Sequence, residues 1–270
     1  MIQPRLPQID WGAGFARHWN GGSAARTHLF NALSFLFPQG ERFFIDQARM
    51  LAEDIGYTDP ALKAFIAQEA AHAQQHSRYN EVLERQGYAN VSAELALFLE
   101  RRAYRVFSPL TRLAAVCAYE HYTAALGDYV LRHPEALEKA PAELELLWGW
   151  HAVEETEHKA VCFDLYRRAG GGWLRRVLMM GVVTVNFSRL FWPLFVDLLR
   201  RDGALGRGRR LRTARETARF MLGRRGLAWS MAGAGLRYLS PRFHPWKRDN
   251  RETMQHWLAA HQSRLRPLKG

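Results

Sequence analysis

Cysteine is scarce in this sequence: Cys117 and Cys162 are the only two in 270 residues, and both fall inside apolar helical patterns. That excludes a disulfide scaffold. The start of the chain lacks a basic stretch followed by an apolar core and a small-residue cleavage site, so a cytoplasmic location with reduced thiols is expected. Long uncharged runs are missing too. The most apolar segment, 173–199, contains no uncharged run longer than the 12 residues Val177–Ser188, short of the ~20 needed to cross a bilayer. Acidic residues nearly vanish from the last hundred positions. Residues 171–270 hold 21 Lys+Arg against 5 Asp+Glu, net +16, whereas residues 1–170 hold 17 against 21, net −4. Low aromatic content is not among the deficits: 12% aromatic and 48% hydrophobic residues argue against disorder.

The charge break near Gly170-Gly171-Gly172 divides the chain. Residues 1–170 form an acidic, ligand-bearing part with an arm over 1–22, and residues 171–270 form a basic, apolar-containing helical extension. The densest chemistry lies in Trp150-His-Ala-Val-Glu-Glu-Thr-Glu-His158. At ~100° per residue His151, Glu155 and His158 share a stripe of roughly 60°, so two imidazoles and a carboxylate point together into a helical interior. An earlier Glu69-Ala-Ala-His72 repeats the Glu-x-x-His spacing of Glu155 and His158. Two such pairs on separate helices, with one further Glu on each of two others, are what four-helix dimetal-carboxylate proteins project inward. Glu41 and Glu120 complete that set.

Caps and breakers place the elements. An apolar pattern from Ser23 reaches Gly56, with Pro38 expected to kink or interrupt it just before Glu41. A second helix starts at Thr58 or Asp59 with Pro60 in its first turn and stops at Gly87; Phe65, Glu69, His72, His76 and Tyr79 share its inner face. His76 is open to three readings: ligand, donor to a ligand, or satisfied core histidine. A crossover helix is expected from Ser92 to about Phe107. A third long helix opens at Ser108-Pro109, closes before Pro134 and buries Glu120, a carboxylate that would cost several kcal/mol without a partner. The fourth runs from Pro141 to Gly170. Periodicity alone does not choose between Glu154 and Glu155, but only Glu155 repeats the Glu-x-x-His spacing, leaving Glu154 and Glu157 for the outer surroundings of the ligands or for solvent. The fold class expected is all-α: a ferritin-like four-helix bundle with a crossover helix and a basic C-terminal helical extension.

The segments Thr27-His-Leu-Phe-Asn-Ala-Leu-Ser34, Phe37-Pro-Gln-Gly-Glu-Arg-Phe-Phe44, Gln68-Glu-Ala-Ala-His72, Glu120-His-Tyr-Thr123, Trp148-Gly-Trp-His-Ala-Val-Glu-Glu-Thr-Glu-His-Lys159 and Phe243-His-Pro-Trp246 resemble the bacterial family of predicted metal-dependent hydrolases over nearly the whole chain. The ligand pattern itself is similar to the ferritin-like dimetal superfamily. His151-x-x-x-Glu155-x-x-His158 resembles the fourth ligand helix of the arylamine N-oxygenases, where an upstream His is a seventh ligand. That resemblance implies Glu41, Glu69, His72, Glu120, His151, Glu155 and His158 as the metal ligands. The surrounding sequence departs from the N-oxygenases, so their substrate class does not transfer.

Four carboxylates and three imidazoles without thiolate suit two metal ions, iron first and manganese or zinc as alternatives. The leading functional expectation is an O₂-dependent diiron oxidase or oxygenase acting on a small, hydrophobic substrate. The alternatives are a dimetal hydrolase, as the family label says, and a non-catalytic metal-binding protein associated with a membrane. The apolar, arginine-fenced stretch over 173–226 is expected to rest on an anionic membrane surface at the inner face of the cytoplasmic membrane, or else to pack on the bundle or on a second copy in a homodimer. Nucleic acid is a weaker partner for the arginines, since no nucleic-acid motif accompanies them.

Overall fold

The long helices begin where capping side chains place them. In the computed structural model, which describes residues 2–268, α1 (Ala24–Asp54) opens on Ser23, whose hydroxyl accepts from the Arg26 N–H. Asp59 and Ser108 cap α2 (Pro60–Arg85) and α4 (Pro109–Arg132) in the same way, each with proline in the first turn. Between them lies α3 (Ala93–Val106), a helix with no buried residue. Then follow α5 (Ala142–His158), α6 (Val161–Arg168), α7 (Trp173–Arg201), α8 (Arg210–Leu222), α9 (Leu227–Tyr238) and α10 (Arg251–His261). The described strands are β1 (Arg5–Pro7) and β2 (Leu265–Pro267), paired antiparallel with Leu6 opposite Arg266. The class is all-α.

Helix α1 packs on α2 and α4, and α5 packs on α4 and α2, closing a ring of four. Side-chain partners give the directions. Asn31 meets Tyr79 while Ser34 meets His76, so α1 and α2 are antiparallel. Gln68 meets His158 while His76 meets His151, so α2 and α5 are antiparallel as well. Thr123 meets Glu155 and Arg112 meets Gln47, which sets α4 against both α5 and α1. With α2 and α4 pointing the same way, α3 is the crossover between them. At Gly127 the helices α4 and α5 come close: a Cβ there would stand 2.9 Å from the Ala152 carbonyl oxygen.

Two elements differ from expectation. Helix α1 continues through Pro38 instead of breaking, because the carbonyl that proline deprives of its N–H, that of Ser34 one turn earlier, accepts the Asn80 side-chain amide at 2.9 Å. Conversely, the expected helix from Pro141 to Gly170 is two helices, with a turn at Lys159-Ala160. The turn delivers the Lys159 ammonium to the Arg248 carbonyl at 2.8 Å, to Asn250 Oδ1 at 2.7 Å and to the face of Trp246 at 4.0 Å. Cys162 therefore belongs to α6, where its carbonyl accepts from the Cys117 thiol.

The basic extension shares its core with the bundle. Phe191, Leu194, Phe195, Leu198 and Leu199 of α7 pack with Leu29, Phe37 and Trp148. Met179, Met180 and Val183 pack with Leu113, Val116 and Cys117. Like α1, α7 continues through a proline, Pro193; the nearby Leu190 carbonyl accepts the Ser92 hydroxyl at 2.6 Å.

Candidate metal centre

The seven residues named as ligands converge at mid-bundle from four helices. Glu41 comes from α1, Glu69 and His72 from α2, Glu120 from α4, and His151, Glu155 and His158 from α5. All are buried. Their donor atoms form overlapping triplets within 4.8 Å of one another: Glu41 with His72 and His151, Glu69 with Glu120 and His158, and Glu69 with His72 and Glu155. Glu69 and Glu155 lie between the two ends. One Glu69 oxygen is 3.1 Å from His158 Nε2 and 3.6 Å from His72 Nδ1. Glu155 faces His151 Nε2 at 3.1 Å with one oxygen and His158 Nε2 at 3.6 Å with the other. Glu120 is 3.4 Å from His158 Nε2.

Hydrogen bonds on the far side of each imidazole fix which nitrogen faces inward. His158 Nδ1 donates to Gln68 Oε1 at 2.9 Å, and the Gln68 amide is oriented by donating to Glu157 at 2.8 Å. The nitrogen lone pair at His158 Nε2 is thereby left to the centre. His72 Nε2 donates to Glu154 at 3.2 Å, leaving Nδ1 inward, and the other Glu154 oxygen accepts the Arg5 N–H at 2.8 Å. The third imidazole is set by a longer chain. Asn80 is held by the Ser34 carbonyl, so its oxygen accepts the Ser34 hydroxyl at 2.8 Å. Ser34 Oγ then accepts from His76 Nδ1 and His76 Nε2 from His151 Nδ1, each at 2.9 Å. His151 Nε2 is thus a bare lone pair facing Glu155. A histidine whose second nitrogen is tied in this way is the usual arrangement of a metal ligand.

Most of the inward atoms have no hydrogen-bond partner. Both oxygens of Glu41, Glu69 and Glu120, together with His72 Nδ1 and His158 Nε2, are buried and unsatisfied. Such a concentration is costly unless something else binds them. Burial pushes the Glu41 and Glu120 carboxyls well above their ordinary value, with the nearby Glu69 charge adding to it. At His72 and His158 burial disfavours the cation, but the surrounding carboxylates outweigh it and raise both imidazoles well above their ordinary value. Glu155 moves the other way: burial opposes ionisation, yet His158 and the other imidazoles hold it well below the usual carboxylate range. His76 and His151 are pushed down by burial and by neighbouring histidines. Mixed carboxylate and imidazole donors, inward and otherwise unpartnered, fit divalent metal ions.

A cavity of about 160 Å³ reaches the centre between α1, α3, α4 and α7. Glu41 and Glu155 are the two of the seven that line it, beside Thr123, whose hydroxyl donates to Glu155. The rest of its wall is mostly apolar, including Phe37, Phe44, Leu99, Met179, Val183 and Phe187.

The structure brings all seven residues together and sets His76 and Glu154 one hydrogen bond outside them. Sequence reasoning missed the outer partners Gln68, Ser34, Asn80, Thr123 and above all Arg5. Gln68, one residue before Glu69 on the same turn, carried a signal. Arg5 carried none, as it lies in the arm, where its guanidinium meets Glu157 at 3.0 Å. The Phe243-His-Pro-Trp246 turn places His244 at 3.1 Å from Asp164 and Trp246 against Lys159, away from the centre.

Neither a curated protein nor a solved structure gives a match to the chain. A family model described as predicted metal-dependent hydrolase matches residues 3–249, and the protein belongs to that family.

Proposed function

We propose that the centre holds two divalent ions and that the protein is a dimetal-dependent hydrolase of substrates with an apolar moiety. The observation that carries this reading is the set of buried, unpartnered carboxylate and imidazole atoms ending in an apolar cavity. Glu41, Glu69, Glu120 and Glu155 bring four negative charges, and two divalent cations neutralise four. Glu41, His72 and His151 would hold one ion, Glu120 and His158 the other, with Glu69 and Glu155 between them. Bound there, such a pair acidifies water and polarises a carbonyl or phosphoryl oxygen.

The chain supplies the rest. The cavity admits substrate only at the Glu41 and Glu155 edge, so the bond to be cleaved lies there and the apolar part of the molecule lies against α3 and α7. Thr123 orients Glu155 by donating to the oxygen that faces His158. The phenylalanines and Met179 exclude bulk water, which strengthens every charge interaction inside.

One observation favours a second reading, O₂-dependent oxidation by an iron pair. The donors are four carboxylates and three imidazoles on an up-down-down-up ring of helices with a crossover, the ferritin-like arrangement that iron carboxylate proteins use. One experiment separates the two. Metal-depleted protein is reloaded with zinc, manganese or iron and assayed on 4-nitrophenyl esters and phosphoesters of increasing chain length, and in parallel for O₂ uptake after reduction. Metal-dependent cleavage that improves with chain length and is lost in Glu155→Ala supports the hydrolase. No cleavage with any metal, together with O₂ uptake by the reduced iron form, replaces it with the oxidase.

A further inference from the structure

The cavity that leads to the centre is walled on its outer side by α3 and α7, and these two helices present large apolar side chains outward. Leu97, Phe98 and Val106 on α3 and Leu174, Leu178 and Val185 on α7 are each between 44% and 60% exposed. Single exposed apolar residues need no explanation, but apolar residues on both walls of one cavity do. Val182 links the two features, as it lines the cavity and is also exposed.

Cations accompany this face. Arg101, Arg102 and Arg105 lie on α3 and Arg175 and Arg189 on α7. Among the described residues none of these five guanidiniums pairs with a carboxylate; the arginine ion pairs lie elsewhere. We propose that the α3/α7 face is a docking surface for an anionic bilayer, and that the cavity takes its substrate, a lipid or another membrane-dissolved molecule, from that bilayer. The substrate class rests on the reading of the centre given above; the docking surface does not.

Two other occupants fit less well. A second copy meeting this face across a two-fold axis would set the same arginines against one another, whereas anionic headgroups complement them. A membrane-spanning α7 meets a different obstacle. Although its longest uncharged run falls short of a span, the helix as a whole is long and apolar enough, at 29 residues with a mean hydropathy of 1.4 in its most apolar window. Its inner side, however, is committed to the bundle through Phe191, Leu194 and Leu198, and the buried Arg176 donates to the Tyr238 and Ser240 carbonyls. One side on protein and one side apolar with an arginine border describes a helix lying in the interface.

The test is flotation of the whole protein with phosphatidylcholine vesicles, with and without phosphatidylglycerol, at low and high salt. The wild-type protein and Glu155→Ala should float equally with the anionic vesicles at low salt and be released by salt, because exposed charges are screened. The double variant Phe98→Asp, Leu178→Asp should lose binding by about tenfold or more with unchanged helicity and metal content. Equal flotation with neutral vesicles, or none with either, overturns the proposal. So does a salt-stable soluble dimer that the double variant dissociates. Because Glu155→Ala is included, loss of the hydrolase reading leaves the flotation result standing, and the reverse also holds.

Discussion

Among the described residues, histidines and carboxylates gather into two clusters, and the hydrogen bonding of only one suits a metal. The second joins His18 and His28 to Asp202 within the same 4.8 Å span as the triplets of the centre. What separates them is the far nitrogen of each ring. At the centre, acceptors such as Glu154, Gln68 and His76 take the proton of that nitrogen and leave a lone pair inward. At His28 the far nitrogen faces the amide of Asn31, at 3.2 Å, and the Asn31 oxygen is occupied by Trp19 Nε1 and the Tyr79 hydroxyl. His28 Nδ1 must therefore accept, so Nε2 carries the proton and donates it to Asp202 at 2.9 Å. The other Asp202 oxygen accepts from Arg17 and Tyr88. Both Asp202 oxygens and both His28 nitrogens are thus spent on hydrogen bonds, the His18 ring adding its own contact to Asp202. This cluster is a latch that ties the N-terminal arm and α1 to the end of α7. Proximity of ligand-type residues does not by itself make a site; an unspent lone pair does.

Substitutions can break that distinction in either direction. The largest effect is expected from Glu155→Ala combined with His158→Ala. Elemental analysis should show metal content falling below one ion per chain while circular dichroism keeps most of its helical signal, because packing holds the helices. Asp202→Asn is the mirror experiment. It should leave metal content unchanged but lower unfolding stability by about 2–3 kcal/mol, as it weakens a buried carboxylate with four donors around it; chemical denaturation measures this. Glu154→Gln lies between the two clusters in kind. It keeps the shape beside His72 but removes the charge that fixes the ring, and metal affinity in a chelator competition should fall by roughly 10–100-fold.

The smallest and most diagnostic effect is on pH dependence. In the metal-free protein His72 and His158 titrate above their ordinary value. The stability they confer is complete below pH 6.5, the ordinary histidine value, and lost as pH rises through their folded values. Glu41 and Glu120, also raised, act in the same direction from pH 4.5 upward. Glu155, lowered, opposes only in acid, where its contribution is lost as pH falls below 4.5. Thermal melts of metal-free protein should therefore show stability declining from slightly acid toward alkaline pH. Metal-loaded protein should show the opposite trend, because metal displaces those protons. Parallel profiles for the two forms would contradict the assigned ligands.

Much of the centre was legible in the sequence because its signals are local. The Glu-x-x-His pairs are set by one helical turn, and Ser23, Asp59-Pro60 and Ser108-Pro109 mark helix starts by their own chemistry. What was illegible depends on residues far apart in the chain. Pro38 predicts a break unless one knows that Asn80, 42 positions later, accommodates the freed carbonyl. The turn at Lys159 is tied to partners near position 250, and Arg5 meets Glu154 and Glu157, which stand 149 and 152 positions later. Residues Leu97, Phe98 and Val106 read as an ordinary crossover helix until the packing leaves them uncovered.

The inward lone pairs of α1, α2, α4 and α5 are proposed to bind two metal ions, and the His18, His28 and Asp202 cluster none. Elemental analysis of protein purified without added metal tests it most directly, on the wild type beside Asp202→Asn and the Glu155→Ala, His158→Ala pair. Two ions per chain are expected in the first two proteins and fewer than one in the third. Two ions surviving in the third, or ions lost with Asp202, would contradict it.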